Sequence, residues 1–379
     1  MANNTPEVRF EGFSGEWEEQ PIVNLANRYD NLRIPITASS RTSGNTPYYG
    51  ANGVQDYVNG YTHKGEYILI AEDGANDLKN YPVQYVSGEI WVNNHAHVLQ
   101  TKKGIADNKF LMNAICTMNM EPFLVGGGRA KLNANVLMKI ILNTPSLEEQ
   151  TQIGSFFKQL DDSIALQQQE LDTLKQTKQG FLQKMFPKEG ETVPEIRFPG
   201  FSGEWEERKL GEIVNITMGQ SPNGENYTEN PEDYILVQGN ADIKNGWVTP
   251  RVWTTQITKT ADKGDLILSV RAPVGDIGRT LYDVVLGRGV AGIKGNEFIF
   301  QTLIKMKSSG YWTKYSTGST FESINSSDLK DACIKIPDSK EQTKIGSFFK
   351  QLDDTIALHQ QELDALKETK KAFLQKMFV

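Results

Sequence analysis

Apolar positions along the chain follow two rhythms. Over 149–186 they fall at Ile153, Phe157, Leu160, Ile164, Leu171, Leu174, Phe181 and Met185. The spacing alternates four and three, and Gln167 and Lys178 fill the two missing places in register. This is a heptad seam, and it predicts one long helix. The same pattern returns at Ile345, Phe349, Leu352, Ile356, Leu363, Leu366, Phe373 and Met377, with His359 and Lys370 in the polar places. Pro145-Ser146…Glu149 and Pro337-Asp338…Glu341 supply a capping box and a close variant of one before each helix, and Pro187 ends the first. Elsewhere the rhythm shortens. RIPITASSR (33–41), TPYYGANGVQDYVNGYTHKGEYILIAEDG (46–74) and GEIWVNNHAHVLQ (88–100) read as short strands with Gly and Asn turns. KLGEIVNITMGQSP (209–222), GDLILSVRAPVGDIG (264–278) and STGSTFESINSSDLKDACIKIP (316–337) form a second body, in which GDLILSV matches GEYILIA as a buried strand.

The two helices are near copies. IGSFFKQLDD occurs at 153–162 and again, letter for letter, at 345–354. A second repeat opens each half, TPEVRFEGFSGEWEE at 5–19 and VPEIRFPGFSGEWEE at 193–207, whereas the bodies between are mostly unalike. The chain therefore divides into a body (1–145), a spacer helix (146–186), a second body (187–337) and a second spacer helix (338–379). Each helix would reach roughly 55 Å. Its seam needs a partner, and the other copy is the obvious one. Helix one carries the chain away from body one and helix two starts at body two, so a pair must be antiparallel. The expected fold class is α+β: two mixed α/β bodies separated by an antiparallel coiled coil with pseudo-two-fold symmetry. The polar seam residues are expected to set register.

Composition changes little. With 38% apolar and 23% charged residues the chain reads as soluble and globular. No run of about 18 apolar residues predicts a membrane span, and the start MANNTPEVRF lacks the features of a signal peptide. Cys116 and Cys333 fit no metal or disulfide spacing, so a reducing cytoplasm is the expected compartment. The formal charge of −7 argues against holding nucleic acid by overall basicity, but allows base reading while partners grip the phosphates.

Catalytic motifs are imitated rather than present. Asn45-Thr-Pro-Tyr48 lacks the second proline of an adenine methyltransferase loop. The glycine run 126–128 lacks a Gly-Lys-Ser/Thr ending. His95 and His97 have no further ligand pair nearby, and Asp338-Ser-Lys340 is only part of a nuclease motif. No catalytic residue, metal site or cofactor loop is expected. Side chains suited to base edges are plentiful on the Gly-rich loops. Body one offers Arg33, Arg41, Tyr48, Tyr49, Asn52, Asn93, Asn94, His95, Arg129 and Lys131. Body two offers Gln238, Asn240, Lys244, Arg251, Arg271, Arg288, Thr317 and Ser319.

Trp17 and Trp205 in their GEWEE contexts, RIPI, PYYGANG, EYILIAEDG, NNHAHVL, GDLILSVRAPVG and the closing LEEQ…IGSFFKQLDD helix occur in one order within a duplicated chain. In this the sequence resembles the specificity subunits of Type I restriction–modification enzymes over nearly its whole length. The resemblance implies two target recognition domains, each reading one half of a split double-stranded DNA site, and a coiled coil that sets the gap. It implies a non-catalytic subunit docking two modification subunits, which bind S-adenosylmethionine and methylate adenine. Restriction subunits, using ATP and Mg, complete the assembly. A coiled-coil adaptor with protein-binding ends and a self-sufficient DNA methyltransferase or nuclease are the competing expectations.

Overall fold

The computed structural model describes residues 4–126, 130–315 and 323–379. It resolves into two compact units. One comprises the chain up to Gln168 together with Glu362–Val379, the other Gln169–Gln361. Each unit thus combines a body with half of each long helix.

The helices run Leu147–Lys184 and Ser339–Met377. In the first unit Phe156 packs edge-on against Phe373 (5.1 Å), Asp161 pairs with Lys370 (2.5 Å) and Gln167 donates to Glu362 (2.8 Å). In the second, Phe181 meets Phe348 (5.1 Å), Lys178 pairs with Asp353 (2.6 Å) and Glu170 stands 3.8 Å from His359. Partner numbers fall as residue numbers rise, so within each unit the segments are antiparallel. Each contact in one unit is the image of one in the other under the sequence repeat. The polar seam residues make cross-helix pairs, as a register role requires. No seam residue is exposed.

The seam does more than pair helices. Ile153, Phe157 and Met377 enter the core of the first body beside Trp17 and Phe110, and Phe378 stacks on Phe110. Met185, Phe186, Ile345 and Phe349 do the same in the second body beside Trp205 and Phe298. The helix ends are therefore core elements as well as spacers.

Each opening motif fastens a helix start. Ser146 caps the first helix by accepting from Glu149 N (3.3 Å). The Glu149 carboxylate does not complete the box. It is buried and takes two 2.7 Å bonds from Arg9, whose guanidinium also donates to Gly15 O and Ser14 O. Asp338 caps the second helix, which accounts for the Asp-Ser-Lys triplet there, and buried Glu341 takes two 2.6 Å bonds from Arg197. A bidentate, buried pair of this kind fixes geometry as well as charge.

The first body is a six-stranded sheet in the order Ala26–Arg28, Ala96–Thr101, His63–Ala71, Val83–Val92, Ser43–Gly50, Gly53–Val58. All pairs are antiparallel except Ser43–Gly50 with Val83–Val92. The second body has six strands from Asn215–Met218 to Ile243–Lys244 and a separate five-stranded sheet. GEYILIA and GDLILSV are both buried central strands, as expected. RIPITASSR is not a strand: its residues form irregular chain and a 3-10 turn, Ala38–Ser40, pinned by the Tyr48 hydroxyl on Ile36. The helices Asn108–Cys116 and Glu297–Ser308 cover the sheets with buried Phe110, Leu111, Phe298 and Phe300.

The glycine of IGSFF has a packing cause. A Cβ on Gly154 would run into Asp107 Oδ1, the cap of helix Asn108–Cys116, and stand 2.9 Å from Phe110 N. On Gly346 it would meet Glu297 Cβ at 2.9 Å. Gly180 faces open space, and its repeat image is Ala372. Gly154→Ala should therefore destabilise the protein by about 1–3 kcal/mol, the range for overpacking. Gly180→Ala should stabilise it by up to about 1 kcal/mol through helix propensity. Urea denaturation of both variants against the parent checks this. Equal effects at the two positions would contradict the packing account.

Candidate nucleic-acid interface

In each body the loops at one end of the central strand are tied together by the same backbone hydrogen bonds. In body one Asn93 N donates to Tyr49 O (3.0 Å), Glu72 N to His95 O (2.8 Å) and Leu132 N to Glu72 O (2.7 Å). In body two Gly287 N donates to Val237 O (2.8 Å), Val270 N to Gly289 O (2.9 Å) and Ile324 N to Val270 O (2.9 Å). An antiparallel bridge follows in both, Asp73 with Lys131 and Arg271 with Ser323. One backbone frame thus carries unlike side chains.

The frame gathers part of the expected set. In body one it brings together Asn52, Asn93, Asn94, His95 and Lys131. Asn52 joins two loops by donating to Gly74 O (2.9 Å) and accepting from Asn76 N (3.0 Å). Asn93 is buried and accepts from His95 N (2.8 Å), so it shapes the turn, while Asn94 is exposed at the tip. His95 pairs with Asp73, and Lys131 lies 3.2 Å from Glu72. Tyr48 is a core residue, 1% exposed, and is withdrawn from any ligand; Arg41 stacks on its ring at 4.2 Å and pairs with Asp56. Tyr49 is half-buried. In body two Gln238, Arg271 and Arg288 sit on the linked loops, with Asn240 one turn further and Lys244 and Arg251 on the adjoining hairpin region. Arg251 donates to buried Asp242 (2.7 Å). Arg129, Thr317 and Ser319 lie outside the described residues. Gln55, whose Oε1 accepts from Asn93 (3.3 Å), and Ser221, which accepts from Arg288 N (3.1 Å), also belong to the clusters. Nothing in the sequence around them marks either residue, because only long-range pairing brings them there.

Beneath the body-one loops lies a buried polar network. Asp30 accepts from Val98 N (2.8 Å) and lies 2.7 Å from His97 Nδ1, while His97 Nε2 is 2.8 Å from Leu132 O. Arg33 binds Glu72 (2.7 Å) and Ala96 O (2.7 Å). Arg33 thus organises the loops from within. Asp30, Glu72 and His97 come close enough together to hold a cation, but Arg33 and Lys131 already supply the positive charge. His95 and His97 share nothing: one faces Asp73, the other the interior.

Burial pushes the Asp30 carboxyl up, but the hydrogen bond and charge of His97, the Val98 N–H and Arg33 outweigh it and hold the group below its ordinary 3.8. Burial likewise opposes, and Arg33, His97 and Lys131 outweigh, so that Glu72 lies below its ordinary 4.5. Both groups therefore protonate more readily in the unfolded chain. Their stabilisation is complete well above those ordinary values and is lost as pH falls through the lower folded ones. Asp30→Asn should lower stability near pH 7 by about 2 kcal/mol and show a smaller deficit below about pH 4. Melting curves across that range check it. A deficit independent of pH would remove the charge-based account.

The family model described as Type I restriction modification DNA specificity domain matches twice, over residues 14–176 and 202–368. A Haemophilus influenzae protein named as a type I restriction enzyme specificity subunit is 47% identical over 155 residues, 40% of each chain. A Methanocaldococcus jannaschii protein named as the MjaX specificity subunit is 30% identical over 65% of this chain and 60% of its own length. The chain thus spans less than two thirds of either relative in these matches. The crystal structure of a Type I restriction–modification S subunit from M. genitalium superposes with a TM-score of 0.76 over 99% of both chains at 15% identity, which is a likeness of fold. Among the described residues no helix is long and apolar enough to cross a membrane. With two copies of the domain covering most of its length, the chain belongs to the Type I restriction modification DNA specificity family.

Proposed function

We propose that the chain is the non-catalytic DNA-reading subunit of a Type I restriction–modification complex. Each body is a target recognition domain for one half of an asymmetric, bipartite double-stranded site. The observation that carries this reading is the shared loop frame: the same backbone bonds present different side chains in the two bodies. Equal scaffolds with unequal tips suit two half-sites of unequal sequence. The duplicated helices suit two copies of one docking partner, the modification subunit. In this reading S-adenosylmethionine belongs to those subunits, ATP and Mg belong to the restriction subunits, and the assembly works in the cytoplasm. The acidic chain charge of −7 fits a division of labour in which partners neutralise phosphates while this chain reads bases.

The deciding measurement is a genome-wide map of methylated adenines in cells with a matching modification subunit, with and without this gene. A two-part motif with a fixed gap should lose methylation when the gene is removed. Identical maps would overturn the proposal.

The coiled coil is proposed to set the gap. Gln167 faces Glu362, so insertions after Gln168 and after Gln361 lie opposite one another and leave flanking pairs in register. Four residues in each helix add about 6 Å, against about 3.4 Å per base pair. The unread gap should lengthen by one or two base pairs with both half-sites unchanged. An altered half-site with an unchanged gap would sink the ruler.

A further inference from the structure

A tight turn occupies the same place in each frame. In body one it is Asn93–His95, between strands Val83–Val92 and Ala96–Thr101. In body two it is Gly287–Gly289, between Val284–Leu286 and Val290–Lys294. The strands before the two turns hold the same parallel neighbour, Tyr49 opposite Val92 and Val237 opposite Leu286. With the recurring bonds on either side, Asn94 and Arg288 become structural equivalents at the two tips. Both are exposed.

The turn in body two is built to present one side chain. A Cβ on Gly289 would collide with the Gln238 carbonyl, and one on Gly287 would stand 3.0 Å from Val237 O. Glycine on both sides lets the turn seat against the neighbouring loop. Arg288 N and Nε both donate to Ser221 Oγ (3.1 and 3.4 Å), which leaves the two terminal guanidinium nitrogens without an acidic partner among the described residues. The adjoining loop differs in the same sense: Asp73, tied to His95, in body one, and exposed Arg271 in body two.

We infer that the turn tip is a base-reading position in each body, Arg288 taking a guanine and Asn94 an adenine. This rests on the reading of the bodies as target recognition domains. A guanidinium offers two parallel donors to guanine O6 and N7, and a carboxamide matches the N6 donor and N7 acceptor of adenine. The body-two half-site therefore contains guanine. The charge of Arg271 beside Arg288 favours the same acceptor-rich edge, and body one lacks that charge.

The test maps methylated adenines in cells expressing the full chain with its modification subunit, for the parent, Arg288→Lys, Arg288→Ala and Asn94→Ala. Exchange of body two for that of another family member identifies which half-site it reads. Lysine keeps the charge but loses the bidentate fork. Arg288→Lys should retain the gap and the other half-site while accepting other bases at one guanine, discrimination falling about tenfold or more. Arg288→Ala should relax the same position, and Asn94→Ala one adenine in the opposite half. A body-two half-site without guanine overturns the inference. So does an unchanged motif in Arg288→Lys when Arg288→Ala loses methylation, since that marks a phosphate contact. If removing the parent gene leaves methylation unchanged, the function itself falls instead. Lysine is the variant that guards against misfolding, because an exposed long cation replaces an exposed long cation.

Discussion

A helix that pairs antiparallel with its own copy must satisfy every contact twice. This constraint underlies the rest of the structure. Asp161 with Lys370 requires Lys178 with Asp353, and Phe156 with Phe373 requires Phe181 with Phe348. A change in the repeat unit acts at two places, one in each unit. The polar seam residues give up some burial in return for a register that both ends can share. The near identity of the helices is thus physically intelligible without reference to the bodies they serve.

The bodies are joined to this frame by buried groups rather than by surface contacts. Arg9 with Glu149 and Arg197 with Glu341 place a bidentate ion pair against each helix start. Removing one partner of such a pair leaves a buried charge and costs about 3–5 kcal/mol. The same arginines grip the carbonyls of the opening loop, so Trp17 and Trp205 are delivered to the cores at fixed positions. Gly154 and Gly346 bring the body helices close enough for this. A common mount lets the loops above differ freely.

In body one Arg33, Asp30, Glu72 and His97 support the loops from beneath, and in body two glycines at 287 and 289 let the loops close together. Different internal chemistry holds the same outer frame. Side chains at the tips are consequently relieved of structural duty, a condition for changing specificity without changing fold.

By itself the sequence determined the duplication, the two long helices, their antiparallel sense and the family. The helices rest on periodicity and their sense on chain order, the duplication on repeated segments, and the family on a resemblance carried by motifs in a fixed order, all of them local or additive signals. It also marked Asn94 and Arg288, though among many residues of equal promise. Tertiary structure decided which of those residues face outward. Tyr48, Asn93 and Arg33 look like base readers by type, but the core and the loop network claim them. RIPITASSR has the composition of a strand, yet its contact with strand Val83–Val92 stops at Ile34, whose N–H donates to Val92 O, and the Tyr48 hydroxyl takes Ile36 instead, so no ladder is built and strand formation depends on one. The shared loop frame was hidden because its hydrogen bonds run through the backbone, join residues far apart in the chain, and leave no trace in side-chain identity.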